Sequence, residues 1–173
     1  MKFAVLTPTT EIKPFDCGDA DLNEFLHIDS KNYLKELLAV TYLLESDTET
    51  VAFFSLLNDK IAVEDCPSNR KFALLFKNNM PEGKRFNSYP AMQIGRLGVS
   101  ESHKGQRYGT SILDLIKGMI VNDIKTGCRY ITVDAYIKSV DFYIKNGFKC
   151  FPEKEGVDNH TKPMYFDLIS LVR

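Results

Sequence analysis

The chain has 173 residues, of which 44% are apolar, enough for one domain with a sizeable core and too apolar for a disordered chain. Its 22 basic and 23 acidic residues leave a net charge of −1, so no global field draws it to nucleic acid or to an anionic membrane. No apolar run approaches the roughly 18–20 residues of a membrane span, and the opening MKFAVLTPTTEIKPF is too poor in apolar residues for a signal peptide, which makes a cytoplasmic location the expectation.

Phe3 to Leu6 reads as a short strand ended by Thr-Pro. In FDCGDADLNEFL, Phe15 to Leu26, either Asp19 or Asp21 can cap a helix, Glu24 stands where a capping box would follow Asp21, and Leu22, Phe25 and Leu26 form the apolar face. A second helical stretch from about Asp29 to Leu37 brings Tyr33, Leu34 and Leu37 together. Ala39–Glu45 and Thr50–Leu57 are rich in β-formers and flank a polar connection, which predicts an antiparallel hairpin.

Lys60 to Pro90 is the least regular part, with a short helix expected over Arg70–Lys77 and Phe72, Leu74 and Leu75 facing inward. This region holds the one local basic patch, Arg70, Lys71, Lys77, Lys84 and Arg85 against Glu82. It is either a solvated face or a contact for RNA phosphate or an acidic substrate, and Phe86 and Tyr89 either stack on a base or pack inward.

Met92–Val99 is the next strand, and Tyr108–Thr126 the strongest helix, with Ile112, Leu115, Ile116, Met119, Ile120 and Ile124 at helical spacing and Gly127 as its stop. The loop between them carries Lys104, Gly105, Gln106 and Arg107. A strand, a glycine-bearing loop and a helix N-terminus make an anion site, because the first N–H groups of a helix have no partner within it and the helix dipole adds partial positive charge. Tyr130–Ala135 is a strand, Ser139–Asn146 a short helix capped by Ser139 and stopped by Gly147, and Phe148–Phe151 and Met164–Leu168 are closing strands. The fold class is α/β (α+β), one domain over residues 1–173, in which the strand–helix–strand part requires a parallel pair.

Cys17, Cys66, Cys128 and Cys150 form no CxxC pair, and His27, His103 and His160 stand at no zinc spacing, so no metal site is expected.

The order IGRLGV–SESH–KGQRYGTSIL, then ITVDA, then FYIKNGF resembles the GNAT superfamily of acyl-CoA-dependent N-acyltransferases over about residues 15 to 168. The superfamily's loop has the form Gln/Arg-x-x-Gly-x-Gly/Ala, matched here by Lys104-Gly105-Gln106-Arg107-Tyr108-Gly109, and its short helix carries a Tyr a few residues before Gly-Phe, matched by Tyr143 before Gly147-Phe148. The resemblance implies a mixed central sheet flanked by helices, with splayed parallel strands that hold the cofactor. It implies acetyl-CoA as co-substrate and no metal, a pantetheine track along Leu97, Gly98 and Val99, and a pyrophosphate cradle formed by Lys104, Gly105, Gln106, Arg107, Tyr108, Gly109 and Thr110. Read from the residues alone, Gly95 and Gly98 equally mark a bulge or tight packing.

By the same resemblance Tyr143 is the general acid that protonates the departing CoA thiolate, with Phe142 the neighbour expected in the core. The acceptor is a primary amine of a small molecule, a protein or an aminoacyl-tRNA, attacked directly in a ternary complex. Its general base is not legible: Glu45, Asp65, Glu101 and Asp134 are all candidates. The FDCGDADLNEFL opening is similar to that of a GNAT subgroup including toxins that acetylate aminoacyl-tRNA, which adds an antitoxin to the expected partners. GNAT relatives are often homodimers.

Two departures stand out. Lys104 replaces the usual Gln or Arg, which keeps a donor, and Arg107 occupies a position where the superfamily usually has Gly, so its backbone either keeps a negative φ or accepts strain. Arg107 also prompts the alternative of a non-catalytic acyl-CoA sensor.

Overall fold

A computed structural model describes residues 1–78, 80–81, 83, 85–123, 126–153 and 160–172. Lys84 and Glu82 of the basic patch and Ile124 of the expected helix face lie outside the described residues.

Among the described residues seven strands form one mixed sheet in the order β1-β2-β3-β4-β5-β7-β6. They are β1 (Lys2–Val5), β2 (Val40–Glu45), β3 (Thr50–Ala62), β4 (Ser88–Val99), β5 (Tyr130–Tyr136), β6 (Lys149–Cys150) and β7 (Thr161–Asp167). The β2–β3 hairpin is antiparallel as expected, pairing Val40 with Leu56, with a register shift between Leu44 and Glu45. β4 and β5 are the parallel pair, joined from Ala91↔Tyr130 to Gln93↔Thr132, and both strands continue past that ladder. β5 then pairs antiparallel with β7 along its whole length. The chain divides into two compact units, the first Met1–Asn58 with Ile94–Met119 and the second Asp59–Gln93 with Ile120–Arg173.

In the first unit, α1 (Ala20–Glu24) is capped by Asp19, whose side chain accepts from the Leu22 N–H, so the alternative cap at Asp21 is not used. One continuous helical run follows, through a π-helical turn (Phe25–Asp29) into α2 (Ser30–Lys35). The run ends at Leu37, whose φ of 57° is left-handed. The expected grouping of Leu37 with Tyr33 and Leu34 is therefore not formed, and Leu37 is 91% exposed. Phe25 stacks on Phe53, and Phe15 meets the same ring edge-on at 5.2 Å, in a core with Leu6, Cys17, Leu26 and Leu43. The long helix α4 (Tyr108–Asn122) buries Ile112, Leu113, Ile116 and Ile120, while Leu115 is exposed. The i, i+4 rows explain the exchange: 112, 116 and 120 define the buried stripe, Leu113 lies beside it, and Leu115 points away.

In the second unit, α3 (Asn69–Phe72) passes into a π-helical turn (Ala73–Lys77). Phe72 and Phe76 are its buried residues, whereas Leu74, expected inside, is 60% exposed. Phe76 contacts Phe72, Tyr130 and Tyr165 with ring centroids 5.2, 5.5 and 5.0 Å apart. Tyr89 packs inward against Phe72, while Phe86 is exposed. The short helix α5 (Val140–Lys145) has Ser139 at its N-cap position without a side-chain capping bond. Gly147 follows at φ 87°, where a β-carbon would press on Phe166 at 3.0 Å. Among the described residues no helix is long and apolar enough to cross a membrane.

Candidate active site

Two constructions carry the candidate chemistry, one in each unit. The first lies between β4 and α4. Gly95 and Gly98 in β4 are required by packing: a β-carbon on Gly98 would sit 2.8 Å from the Phe53 ring and 3.1 Å from Phe15, and one on Gly95 would sit 2.7 Å from Leu57. Tight packing therefore accounts for both glycines. It leaves the main-chain direction of Leu97, Gly98 and Val99 that of a regular strand.

After β4, Ser100 donates its N–H to Val51 O at 2.9 Å, and a single 3₁₀ turn over Glu101–His103 follows. Lys104 is ion-paired with Glu101, and the Gln106 side chain donates to Ser102 O at 3.3 Å. Gly105 takes φ 76° and Arg107 takes φ 66°. Of the two outcomes open to Arg107, the backbone thus adopts the glycine-type conformation with its strain. The Arg107 carbonyl accepts the first helical bond, from Ser111 at 3.0 Å, so helix geometry leaves the N–H groups of Tyr108, Gly109 and Thr110 without a partner inside α4. Lys104, Gln106 and Arg107 are exposed around this end, and Tyr108 is half-buried with its ring 5.7 Å from His103.

The opening motif supports the same loop. The Glu101 N–H donates to Asp16 O at 2.9 Å. The Asp16 carboxylate accepts from the Gly18 N–H and from Asn23, both at 2.8 Å, and these bonds hold its pKa below the ordinary carboxylate value. Gly18 takes φ 73° with the Glu101 carboxylate against its Cα, so a side chain there would displace Glu101.

The second construction belongs to β5, β7 and α5. Tyr143 is 6% exposed, more buried than Phe142, which reverses the expectation that Phe142 is the core member. Its ring meets Phe142 at 5.1 Å and Phe148 at 5.3 Å, and Phe148 in turn contacts Phe166. Phe166 pairs with Ile131, so Tyr143 packs on the Ile131 face of β5. Burial pushes the Tyr143 phenol above its ordinary pKa, which keeps it protonated at neutral pH.

The opposite face of β5 behaves differently. Its Tyr130 end is roofed by the α3 aromatics, and its Thr132 and Asp134 end opens into a cavity of about 750 Å³. Asp59, Asp65, Gln93 and Lys162 also line it. Thr132 donates to the Asp59 carboxylate, and Gln93 donates to Asp134 at 3.0 Å. Burial raises the Asp134 pKa, and the charges of Asp59 and Asp65 add to the shift. Asp59, Gln93 and Thr132 escaped the sequence reading. Their one signal is polar residues interrupting apolar strand runs, in LLNDK, AMQIG and YITVDA.

Of the remaining base candidates, Asp65 lines the same cavity, and Glu45 and Glu101 stand elsewhere. Glu45 is buried at the end of β2, Asp65 caps the turn after β3 by accepting from the Ala62 N–H at 2.6 Å, and Glu101 is held by Lys104. The four cysteines stand outside any disulfide, and among the described residues no cluster of His, Cys, Asp and Glu is suited to a metal ion.

Among the described residues a mixed sheet with the parallel pair β4–β5, a glycine loop and a long helix define an α/β protein. Residues 69–166 match the family model of the acetyltransferase (GNAT) domain, and the chain belongs to that family. Solved structures share the fold at low identity. AtaT complexed with acetyl-methionyl-tRNAfMet has a TM-score of 0.78 and 20% identity over 99% of this chain and 96% of that one. AtaTR bound with acetyl-CoA has a TM-score of 0.75 and 20% identity over 99% and 95%. A tyrosine-to-phenylalanine mutant of KacT has a TM-score of 0.70 and 20% identity over 99% and 98%.

Proposed function

We propose that the protein transfers an acetyl group from acetyl-CoA to a primary amine by direct attack in a ternary complex. The observation that carries this reading is the loop before α4. It keeps two left-handed residues, Gly105 and Arg107, at the mouth of a 15-residue helix, although one of them is not glycine. A chain that tolerates a strained Arg there holds a loop shape suited to an anion, and the open N–H groups of Tyr108, Gly109 and Thr110 are its donors.

In this reading Lys104, Gly105, Gln106, Arg107, Tyr108, Gly109 and Thr110 bind the pyrophosphate. Leu97, Gly98 and Val99 offer strand backbone to the pantetheine amides. Tyr143 gives its proton to the CoA thiolate as the C–S bond breaks.

Titration calorimetry with acetyl-CoA tests the reading: saturable binding is expected, and absence of any affinity overturns it. Tyr143→Phe should lower kcat by about 10²-fold with acetyl-CoA binding unchanged. An unaltered kcat removes Tyr143 from the chemistry.

A narrower reading, a toxin that acetylates aminoacyl-tRNA and is held by an antitoxin, is favoured by the full-length similarity to AtaT complexed with acetyl-methionyl-tRNAfMet. The exposed Arg70, Lys71, Arg85 and Phe86 are the residues available for RNA. Expression should then arrest growth and leave acetylated aminoacyl-tRNA; normal growth with unmodified tRNA rejects it.

A further inference from the structure

We propose that the cavity beside Asp134 receives the ammonium group of the acceptor, and that Asp134 takes the proton this group sheds before attack. The inference rests on the acetyl-transfer reading above. Three observations support it.

The first is size and place. At about 750 Å³ the cavity is within the range of small-ligand pockets. Thr132 and Asp134, on the face of β5 opposite to Tyr143, line it together with Val133 and Met164. The acceptor amine and the departing thiolate are thereby served from different faces of one strand, which keeps the base apart from the acid.

The second is charge. Asp59, Asp65, Asp134 and Glu153 line the cavity against Lys60 and Lys162, and Lys162 is already paired with Glu153. The excess is acidic, yet among the described residues these carboxylates do not form a metal-binding group. An ammonium ion fits that field, whereas an amine with a carboxylate beside it is repelled.

The third is availability. Of the four carboxylates that the sequence offers as base, two stand outside the cavity, and Asp65, on its lining, is engaged in a turn cap. Glu101 pairs with Lys104, and Glu45 is buried in the other unit. Asp134 is held by Gln93 and opens to the cavity. Burial first, and then the like charges of Asp59 and Asp65, make it more basic than an isolated carboxylate.

The proton balance closes. R–NH₃⁺ gives one proton to Asp134, and the freed nitrogen lone pair attacks the thioester carbon. On collapse the C–S bond breaks and the thiolate takes the Tyr143 proton. The nitrogen's second proton restores the phenol, and Asp134 releases its own to water. The products are the N-acetyl amide, free CoA thiol and one proton.

The test uses three probes of one shape: alaninamide, a cation; alanine, a zwitterion; and lactamide, which is neutral. Amide chemical shifts of the full chain are followed during titration with each, without acetyl-CoA. Alaninamide should perturb Gln93, Thr132 and Asp134 and bind at least about tenfold more tightly than the other two, a margin that a charged contact supplies. Asp134→Asn, isosteric and at an open position, should erase the preference, and Asp59→Asn should weaken it. Equal binding of all three probes, perturbation confined to other residues, or indifference to Asp134→Asn overturns the pocket.

With acetyl-CoA present, Asp134→Asn should lower kcat for alaninamide by about 10²-fold and remove the acidic limb of the pH profile. A limb that persists in this variant assigns the proton elsewhere. Acetyl-CoA titration of the same samples separates the two readings. Normal acetyl-CoA binding with an unresponsive cavity removes only the pocket, while absent acetyl-CoA binding removes the transferase reading itself.

Discussion

Arg107 sets a contest between backbone and side chain. Its φ of 66° places a bulky L-residue in the left-handed region, at a cost of about 1–2 kcal/mol. Glycine would remove that strain and return roughly 0.4–1 kcal/mol through the freer unfolded chain. Arg107→Gly should therefore raise stability by a few tenths to about 1 kcal/mol, seen as a higher denaturation midpoint. The same change deletes a guanidinium exposed at the helix mouth. If that group holds phosphate, acetyl-CoA affinity should fall by about tenfold, the discounted share of a charge-assisted bond at an exposed site. A variant both more stable and tighter for acetyl-CoA would show Arg107 to be an obstruction, as the sensor alternative requires.

At the scale of elements, the i, i+4 repeat decides which side chains of the α3 run face in. Phe72 is buried as expected and Phe76, four residues on, lies beside it, whereas Leu74, two residues from Phe72, points away and is exposed. Phe76→Ala should cost about 3–5 kcal/mol, since it removes a ring touching Phe72, Tyr130 and Tyr165. Leu74→Ala should stay within about 0.5 kcal/mol. Denaturant midpoints of the two variants check the pair, and equal losses would refute this inward face.

The same reasoning separates the legible from the illegible. The β2–β3 hairpin, the β4–α4–β5 crossover, Gly105 and Tyr143 follow from alternation, turn residues and motif spacing, which are local properties. Leu115 against Leu113 depends on the phase of α4, which a one-dimensional count leaves free by one position. The Asp134 cavity depends on the register of β5 against β4 and β7 and on where the α3 aromatics stop, and neither is written in any one segment.

For the whole molecule, the distribution of buried phenols sets its limit in alkali. Burial is the first cause raising the pKa values of Tyr42, Tyr130, Tyr143 and Tyr165 above the ordinary tyrosine value, and the last three belong to the second unit. In the unfolded chain each titrates near pH 10. Between that pH and their higher folded values the native state binds more protons than the unfolded one, so stability falls as pH rises. Their contribution is complete below about pH 10 and is lost as the folded pKa values are passed. Ionisation of Tyr130, Tyr143 and Tyr165 should accordingly appear as a late stage of tyrosinate absorbance, coincident with the loss of near-ultraviolet dichroism as this unit opens. Tyr130→Phe should remove one phenol from that stage and move it to higher pH, because the ring stays and the ionisable group goes. A single stage near pH 10 with native dichroism intact would mean that solvent reaches these phenols in the folded protein, contrary to the packing of Phe76, Tyr130 and Tyr165.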